Sequence, residues 1–363
     1  MDRKKILVAS NAMTNGGDWL ILKNTLGLID NFLGKKSYIN RNIEKAEIDV
    51  ESFQIPLYDA IIIPGGPQLM NRLLERFICP IVLEAMKEKK KIFLFGCGWY
   101  GSNDDSESLY GYEFSEESQK ALSYIDANGI LGCRDYGAFN LLKSKGYSNV
   151  MMTGCSVWYG KLDSPVQKKQ EIRKLVISDI GMSKDKKYHD QQIQQFDKVL
   201  RFIEKKFSGV EKIFTFNNGI NTKYSSDFNR GVQQILEREQ IPYYDLSYGN
   251  DTFKVYDDCD LHIGYRVHSH LYSLSHGIPS VLICEDARGM GMNRTLGFPV
   301  IRANSCQKQG GYESNPFILN ELDSGINRLI ENQAYEMERI RSLFQYYFNG
   351  TVTDYFKKIK QIY

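Results

Sequence analysis

The chain has 363 residues, 42% hydrophobic and 25% charged, and its 46 Lys and Arg against 44 Asp and Glu leave a formal charge of +2. That balance removes the usual electrostatic reason to bind DNA or RNA non-specifically, and no stretch approaches the ~20 apolar residues of a membrane span. The length suits about two domains, each large enough to fold around its own core.

Seven cysteines (Cys79, Cys97, Cys133, Cys155, Cys259, Cys284, Cys306) are widely spaced and form no Cys-x-x-Cys pair. This argues against a disulfide framework or zinc knuckle and for a reducing, cytoplasmic setting. The basic start Met1 to Lys5 runs only into Ile6–Ala9 before polar residues resume, too little for a signal-peptide core. The lysine runs at 87–91 and 184–187 read as solvated helix ends. The 23 Tyr and 19 Phe exceed what a core needs and suit stacking against sugar rings.

In chain order, short apolar runs alternate with helical patterns, which predicts an α/β architecture of parallel sheets covered by helices. Residues 5–10 read as a strand and the segment after Asp18 as a helix. Then come strand 60–63, helices 68–77 and 81–90, strand 91–95, helix 116–128, strand 129–133, helix 136–145 and strand 150–153. The polar stretch 161–174 with Pro165 reads as a linker, giving an N-terminal unit of residues 1–165 and a C-terminal unit of 172–363. The rhythm restarts with strand 175–178, helix 192–207, strand 212–216, helix 226–239, a short helix at 251–257, strand 261–264, helix 269–276 and strand 280–283. Residues 318–363 read as helical, a Phe- and Tyr-rich tail expected to pack on the body. Parallel sheets bind ligands beyond the carboxyl ends of their strands, so the cleft between two such units is the expected site.

Gly96-Cys-Gly98-Trp-Tyr-Gly101 matches the spacing of a dinucleotide fingerprint. An acidic polar loop follows it instead of an apolar helix start, and it sits late in its unit, so it reads as a ligand wall and not as an NAD or FAD site. Asn15-Gly-Gly-Asp18 precedes a helix, where it serves equally as an N-cap or as a binding turn. Gly65-Gly66-Pro67 is a strand-to-helix turn with backbone amides available to an anion. Asp258-Cys-Asp260 resembles a cation-holding pair but stands before a buried strand, which favours a structural role. His268-Ser-His270 lacks further ligands at metal spacing.

More pointed is Gly264-Tyr-Arg266-Val-His268, where a buried strand delivers an arginine and a histidine together to the sheet's carboxyl edge. Arginine is a permanent clamp for carboxylate or phosphate, and histidine gives or takes a proton near neutral pH. Arg134 stands similarly in Gly132-Cys-Arg134-Asp135, with a salt bridge to Asp135 as the alternative to a site role. Arg288 follows the strand at 280–283 and points to the same cleft.

Taken in order, Asn15-Gly-Gly-Asp18, Gly65-Gly66, Phe95-Gly96-x-Gly98, Cys133-Arg134-Asp135, Gly146-Tyr147, Asp260-Leu-His-Ile-Gly-Tyr-Arg266-Val-His268 and Gly277-Ile-Pro279 resemble the polysaccharide pyruvyltransferase family. The similarity spans about residues 6–297. It implies two Rossmann-like domains facing a cleft, as in glycosyltransferase-B enzymes, and transfer of a pyruvyl group from phosphoenolpyruvate to two hydroxyls of a sugar in a cell-surface polysaccharide or its precursor. On this resemblance Arg134, Arg266 and His268 are the catalytic set, and Arg134, Arg266 and Arg288 bind the donor. Asn15, Asp18, Trp99 and Tyr100 are the acceptor candidates on the first unit. No metal or other cofactor is implied, and a lipid-linked acceptor would bring the chain to a membrane face without a span of its own. Two departures stand out: Pro67 where the family often has a third glycine, and Arg288 where it often has lysine. The alternatives are a glycosyltransferase of similar architecture with a nucleotide-sugar donor, and a non-catalytic carbohydrate-binding protein that retains the fold.

Overall fold

The computed structural model describes residues 5–10, 12, 14–34, 38–42, 54–66, 68–70, 79–101, 105–162, 171–183, 185–221, 226–249, 251–305 and 313–362. Strands β1 (Ile6–Ser10), β2 (Tyr38–Asn42), β3 (Ala60–Pro64), β4 (Lys91–Cys97), β5 (Ile130–Cys133) and β6 (Val150–Met152) pair in parallel in the order β2-β1-β3-β4-β5-β6. Every residue of β1 and β3 is buried. Helices cover both faces of such a sheet, which is why these strands read as unbroken apolar runs rather than alternating ones. The connecting helices are α1 (Gly16–Leu33), α2 (Cys79–Lys87), α3 (Ser106–Tyr110), α4 (Glu116–Asn128) and α5 (Tyr136–Ser144).

A second parallel sheet repeats the plan. It contains β7 (Lys174–Ser178), β8 (Glu211–Phe216), β9 (Tyr243–Asp245), β10 (Leu261–Gly264), β11 (Ser280–Cys284) and β12 (Ile301–Arg302), in the order β12-β11-β10-β7-β8-β9. Its helices are α6 (His189–Lys206), α7 (Ser226–Arg238), α8 (Val267–Ser275) and α9 (Ala287–Leu296), and the chain ends in α10 (Ile318–Glu331), α11 (Gln333–Tyr347) and α12 (Thr353–Ile362). Among the described residues no helix is long and apolar enough to cross a membrane.

The α/β class holds, and the differences from the sequence expectations have local causes. Three strands were not expected: β2, β9 and β12, with sequences YINRN, YYD and IR. All three are sheet edges, where one flank needs no apolar cover. The short helix at 251–257 is a 3₁₀ turn over Asp251–Tyr256. Of the helix expected at 68–77, residues 68–70 are not helical, because Leu69 bridges to Trp99. Residues 71–77 lie outside the described residues, as do Pro67 and residues 163–170 of the expected linker.

The aromatic tail leaves the second sheet and closes the first. Phe356 of α12 stacks on Phe32 of α1 at 4.7 Å, and the Tyr355 hydroxyl donates to the Leu94 carbonyl at 2.9 Å. Phe344 of α11 stacks on the fully buried Trp158 at 5.0 Å. Replacing Trp158 by alanine removes this contact and leaves a large cavity, so it should cost about 3–5 kcal/mol of unfolding free energy. Urea denaturation would read this directly, and a loss below about 1 kcal/mol would show that the stack does not hold the tail.

In each sheet the strand order reverses beside its first strand, between β1 and β3 and between β7 and β10. Such switch points open a crevice at the carboxyl ends. The two crevices meet: the Gly16 amide at the start of α1 donates to the Asn217 carbonyl after β8 at 2.9 Å, and the Tyr248 amide donates to Thr14 at 3.0 Å.

Candidate active site

At the first switch point, the Asn15 side chain accepts from the Gly17 amide at 2.8 Å. It caps α1, so its acceptor oxygen serves the helix. Gly17 lies directly against His268. A Cβ on Gly17 would fall 2.5 Å from His268 Nδ1 and 2.9 Å from its Cβ, closer than atoms can pack, so only glycine lets this helix start meet the imidazole.

At the second switch point, Arg266 follows β10 as the N-cap residue of α8. Its Nε and Nη2 donate to the two oxygens of Asp179, at 2.7 and 2.5 Å, a bidentate pair that fixes the guanidinium plane. Its backbone amide donates to Ser178 Oγ at 3.2 Å. Ser178 belongs to a buried chain in which His262 lies 2.9 Å from Ser178 and 2.6 Å from Ser280, and His270 lies 2.7 Å from Ser280. His270 therefore turns into the core and is no partner for His268 around a metal. Asp260 takes the amides of Arg173 and Lys174 at the start of β7, a structural role at the opposite end of the sheet. Among the described residues no cluster of His, Cys, Asp or Glu is arranged to hold a metal ion.

His268 Nε2 is buried and has no hydrogen-bond partner among the described residues. Burial, and then the charges of Arg134, Arg288 and Arg266, push its pKa down to about 3. The imidazole is thus neutral at neutral pH and lies within the field of all three arginines.

Arg288, at the start of α9, donates from Nε and Nη2 to Asp286, with 2.6 Å for Nη2. Its guanidinium covers one face of the Tyr100 ring, 4.5 Å from the centroid. Beside it the Ala287 amide donates to the Gly101 carbonyl at 3.0 Å, joining the two units across the cleft.

Arg134 is only 1% exposed. It donates from Nε to Asp135 at 3.1 Å and from Nη2 to the Arg288 carbonyl at 3.4 Å. A Cβ on Gly98 would fall 2.7 Å from its Cζ, so Arg134 stands behind the wall formed by the glycine loop. Trp99, expected as a stacking platform, is 2% exposed and packed edge-on against Tyr112. Its ring fills the space under Gly101 and presents no face to a sugar.

Two carboxyls in this region form no ion pair among the described residues. Burial raises Asp18, on the first turn of α1, to about 7 against the opposing charge of Arg288. Burial also raises Glu285, just after β11, to about 7, with Arg266 the strongest opposing charge. The cleft thus brings Asp18, Tyr100, Arg266, His268 and Arg288 together with Arg134 behind them. Asp179, Glu285 and Asp286 were missed as site residues. Asp179 directly follows a predicted strand, and Glu285 and Asp286 stand in the same strand-end turn as Arg288. All three stand at strand ends, the same signal that marks the arginines.

A family-wide sequence model described as "Polysaccharide pyruvyl transferase" matches residues 15–284. The chain belongs to the polysaccharide pyruvyl transferase family. No curated protein sequence matches this family member. Among solved structures, S. aureus MnaA with UDP matches at 12% identity over 93% of this chain and 91% of that one, with a TM-score of 0.57. A putative UDP-N-acetylglucosamine 2-epimerase from Listeria monocytogenes matches at 11% identity over 98% and 94%, with a TM-score of 0.56. The trehalose-6-phosphate synthase OtsA matches at 10% identity over 99% of both chains, with a TM-score of 0.54. At these identities the likeness establishes the fold alone: this pyruvyl transferase family member has the two-domain glycosyltransferase-B architecture.

Proposed function

We propose that the protein transfers a pyruvyl group from phosphoenolpyruvate to two hydroxyls of a sugar, in a cell-surface polysaccharide or its precursor, forming a pyruvate ketal without a metal or redox cofactor. The observation that supports this most is the convergence of three guanidinium groups on one neutral imidazole with an unpartnered nitrogen. Phosphoenolpyruvate carries a carboxylate and a phosphate, and Arg266 and Arg288 each keep Nη1 without a partner among the described residues. These groups would grip the two anionic ends, while Arg134 adds its charge from behind the wall.

His268 is the proton donor to the methylene carbon. A donor charge about 4 Å away, at an effective dielectric of about 20, is worth about 4 kcal/mol, or about three pKa units. Binding of the anionic donor therefore brings the imidazole from about 3 into the range where it holds a proton, so the acid is armed by its own substrate. Protonation places positive character on C2, one sugar hydroxyl attacks, phosphate departs and the second hydroxyl closes the ketal. Asp18 and Tyr100 receive the acceptor.

The test is the heat-denaturation midpoint with phosphoenolpyruvate beside UDP- and GDP-sugars, because a ligand of the native state raises stability by about 2.7 kcal/mol at one hundred times its Kd. A rise with phosphoenolpyruvate that disappears in Arg266→Ala is expected. A rise with nucleotide-sugars alone would replace this reading with that of a glycosyltransferase.

A further inference from the structure

Each arginine of the cleft arrives with its own aspartate: Arg134 with Asp135, Arg266 with Asp179 and Arg288 with Asp286. Glu285 sits between the last two pairs, yet no cation claims it among the described residues. Its Oε1 accepts from the Gly181 amide at 2.8 Å. Gly181 is held in turn by Gln192, whose amide donates to the Gly181 carbonyl at 2.9 Å. The Glu285 carbonyl takes a hydrogen bond from Asn304 at 3.0 Å. The residue is thus tied at its backbone and at one carboxyl oxygen, while Oε2 has no hydrogen-bond partner among the described residues. A carboxylate kept only to neutralise arginines would be paired with one. This one is anchored beside them, next to the turn where Ala287 joins the Gly101 loop of the first unit.

We propose that Glu285 is the base that takes the proton from the attacking sugar hydroxyl. The proposal rests on the pyruvyl-transfer reading and adds a group to it. His268 gives its proton to the methylene carbon, and the alkene electron pair forms the new C–H bond. The hydroxyl oxygen then bonds to C2 and its proton passes to Glu285 Oε2. The C2–O bond to phosphate breaks with its electron pair on the leaving group. The second hydroxyl closes on C2 and gives its proton to that phosphate. Exchange with solvent discharges Glu285 and recharges His268, so one donor and one diol yield one ketal and one hydrogen phosphate.

The groups facing Glu285 are Arg266 at the N-cap of α8, Asp286 and Arg288 at the start of α9, and Tyr100 from the loop after β4, and Arg266 is itself bound to Asp179. Burial raises its pKa to about 7, which suits a base that must both accept and release a proton near neutrality.

The decisive variant is Glu285→Gln, which keeps the acceptor for the Gly181 amide and the size of the side chain. Phosphate release from phosphoenolpyruvate would be followed with a set of p-nitrophenyl hexosides and with water alone as acceptor. The expected result is a turnover lower by about 10²-fold or more, an intact phosphoenolpyruvate-induced rise in denaturation midpoint, and loss of the increase in kcat with pH that a titrating base produces. Added formate should partly restore turnover in Glu285→Ala. Turnover within threefold of wild type with an unchanged pH profile would overturn the role of Glu285 and leave the pyruvyl-transfer reading standing. Loss of the midpoint rise in Glu285→Gln would also overturn it, by showing a role in holding the donor. A wild-type protein with neither a midpoint rise nor phosphate release would overturn the underlying reading itself.

Discussion

His268→Ala should lower turnover of phosphoenolpyruvate by about 10²–10⁴-fold, the contribution of a positioned proton donor, and leave the denaturation midpoint close to that of wild type. The stability half follows from the site. The imidazole lines the cleft, its Nε2 bonds to nothing among the described residues, and three cations act against its charged form. Removing it breaks no hydrogen-bonded network, because the buried chain beneath the site runs through His262 and His270 instead. The pH dependence has a definite sign. The acid must be protonated, so kcat falls as pH rises through the pKa of the donor complex, which lies well above the value near 3 of the free protein. Turnover near the wild-type level would remove His268 from the mechanism.

Gly17→Ala should be almost as damaging, although it adds only a single methyl group. On an isolated helix the change is favourable by up to about 1 kcal/mol. Here the methyl would meet both the ring and the Cβ of His268, and the second contact means that rotating the imidazole cannot relieve the clash. Either α1 or the start of α8 must move, and a displacement of about 1 Å at a catalytic group costs about 10²-fold. The expected outcome is a kcat lower by about that factor, with the phosphoenolpyruvate-induced midpoint rise retained, since Arg266 and Arg288 keep their aspartates. Gly27→Ala on the same helix is the control: nothing lies within 4 Å of its added Cβ, so turnover should not change. Equal behaviour of the two variants would mean that the contact between Gly17 and His268 has no catalytic consequence.

The residues that were legible in the sequence share one property: their local pattern and their position coincide. β1 and β3 are buried along their whole length, so apolar runs announced them. Arg266 and His268 follow β10 directly, so the strand end placed them at the ligand edge. The edge strands β2, β9 and β12 were not legible, because YINRN, YYD and IR carry no apolar run. Trp99 misled for a related reason. Its glycine-rich neighbourhood looks the same whether the ring faces a ligand or the core, and packing under Gly101 decided for the core.

The sequence by itself determined the α/β class, the repetition of one plan in two halves, the family and the strand ends that carry Arg134, Arg266, His268 and Arg288. These follow from periodicity and short motifs, in which each residue's neighbours along the chain supply the information. Only the tertiary structure decided which aspartate holds which arginine, that Arg134 stands behind the cleft wall, that Glu285 is left unclaimed, and that α12 returns to cover the first sheet. The physical reason is that charge pairing, desolvation and close packing depend on distances across the fold, and the partners here are as much as 261 residues apart in the chain.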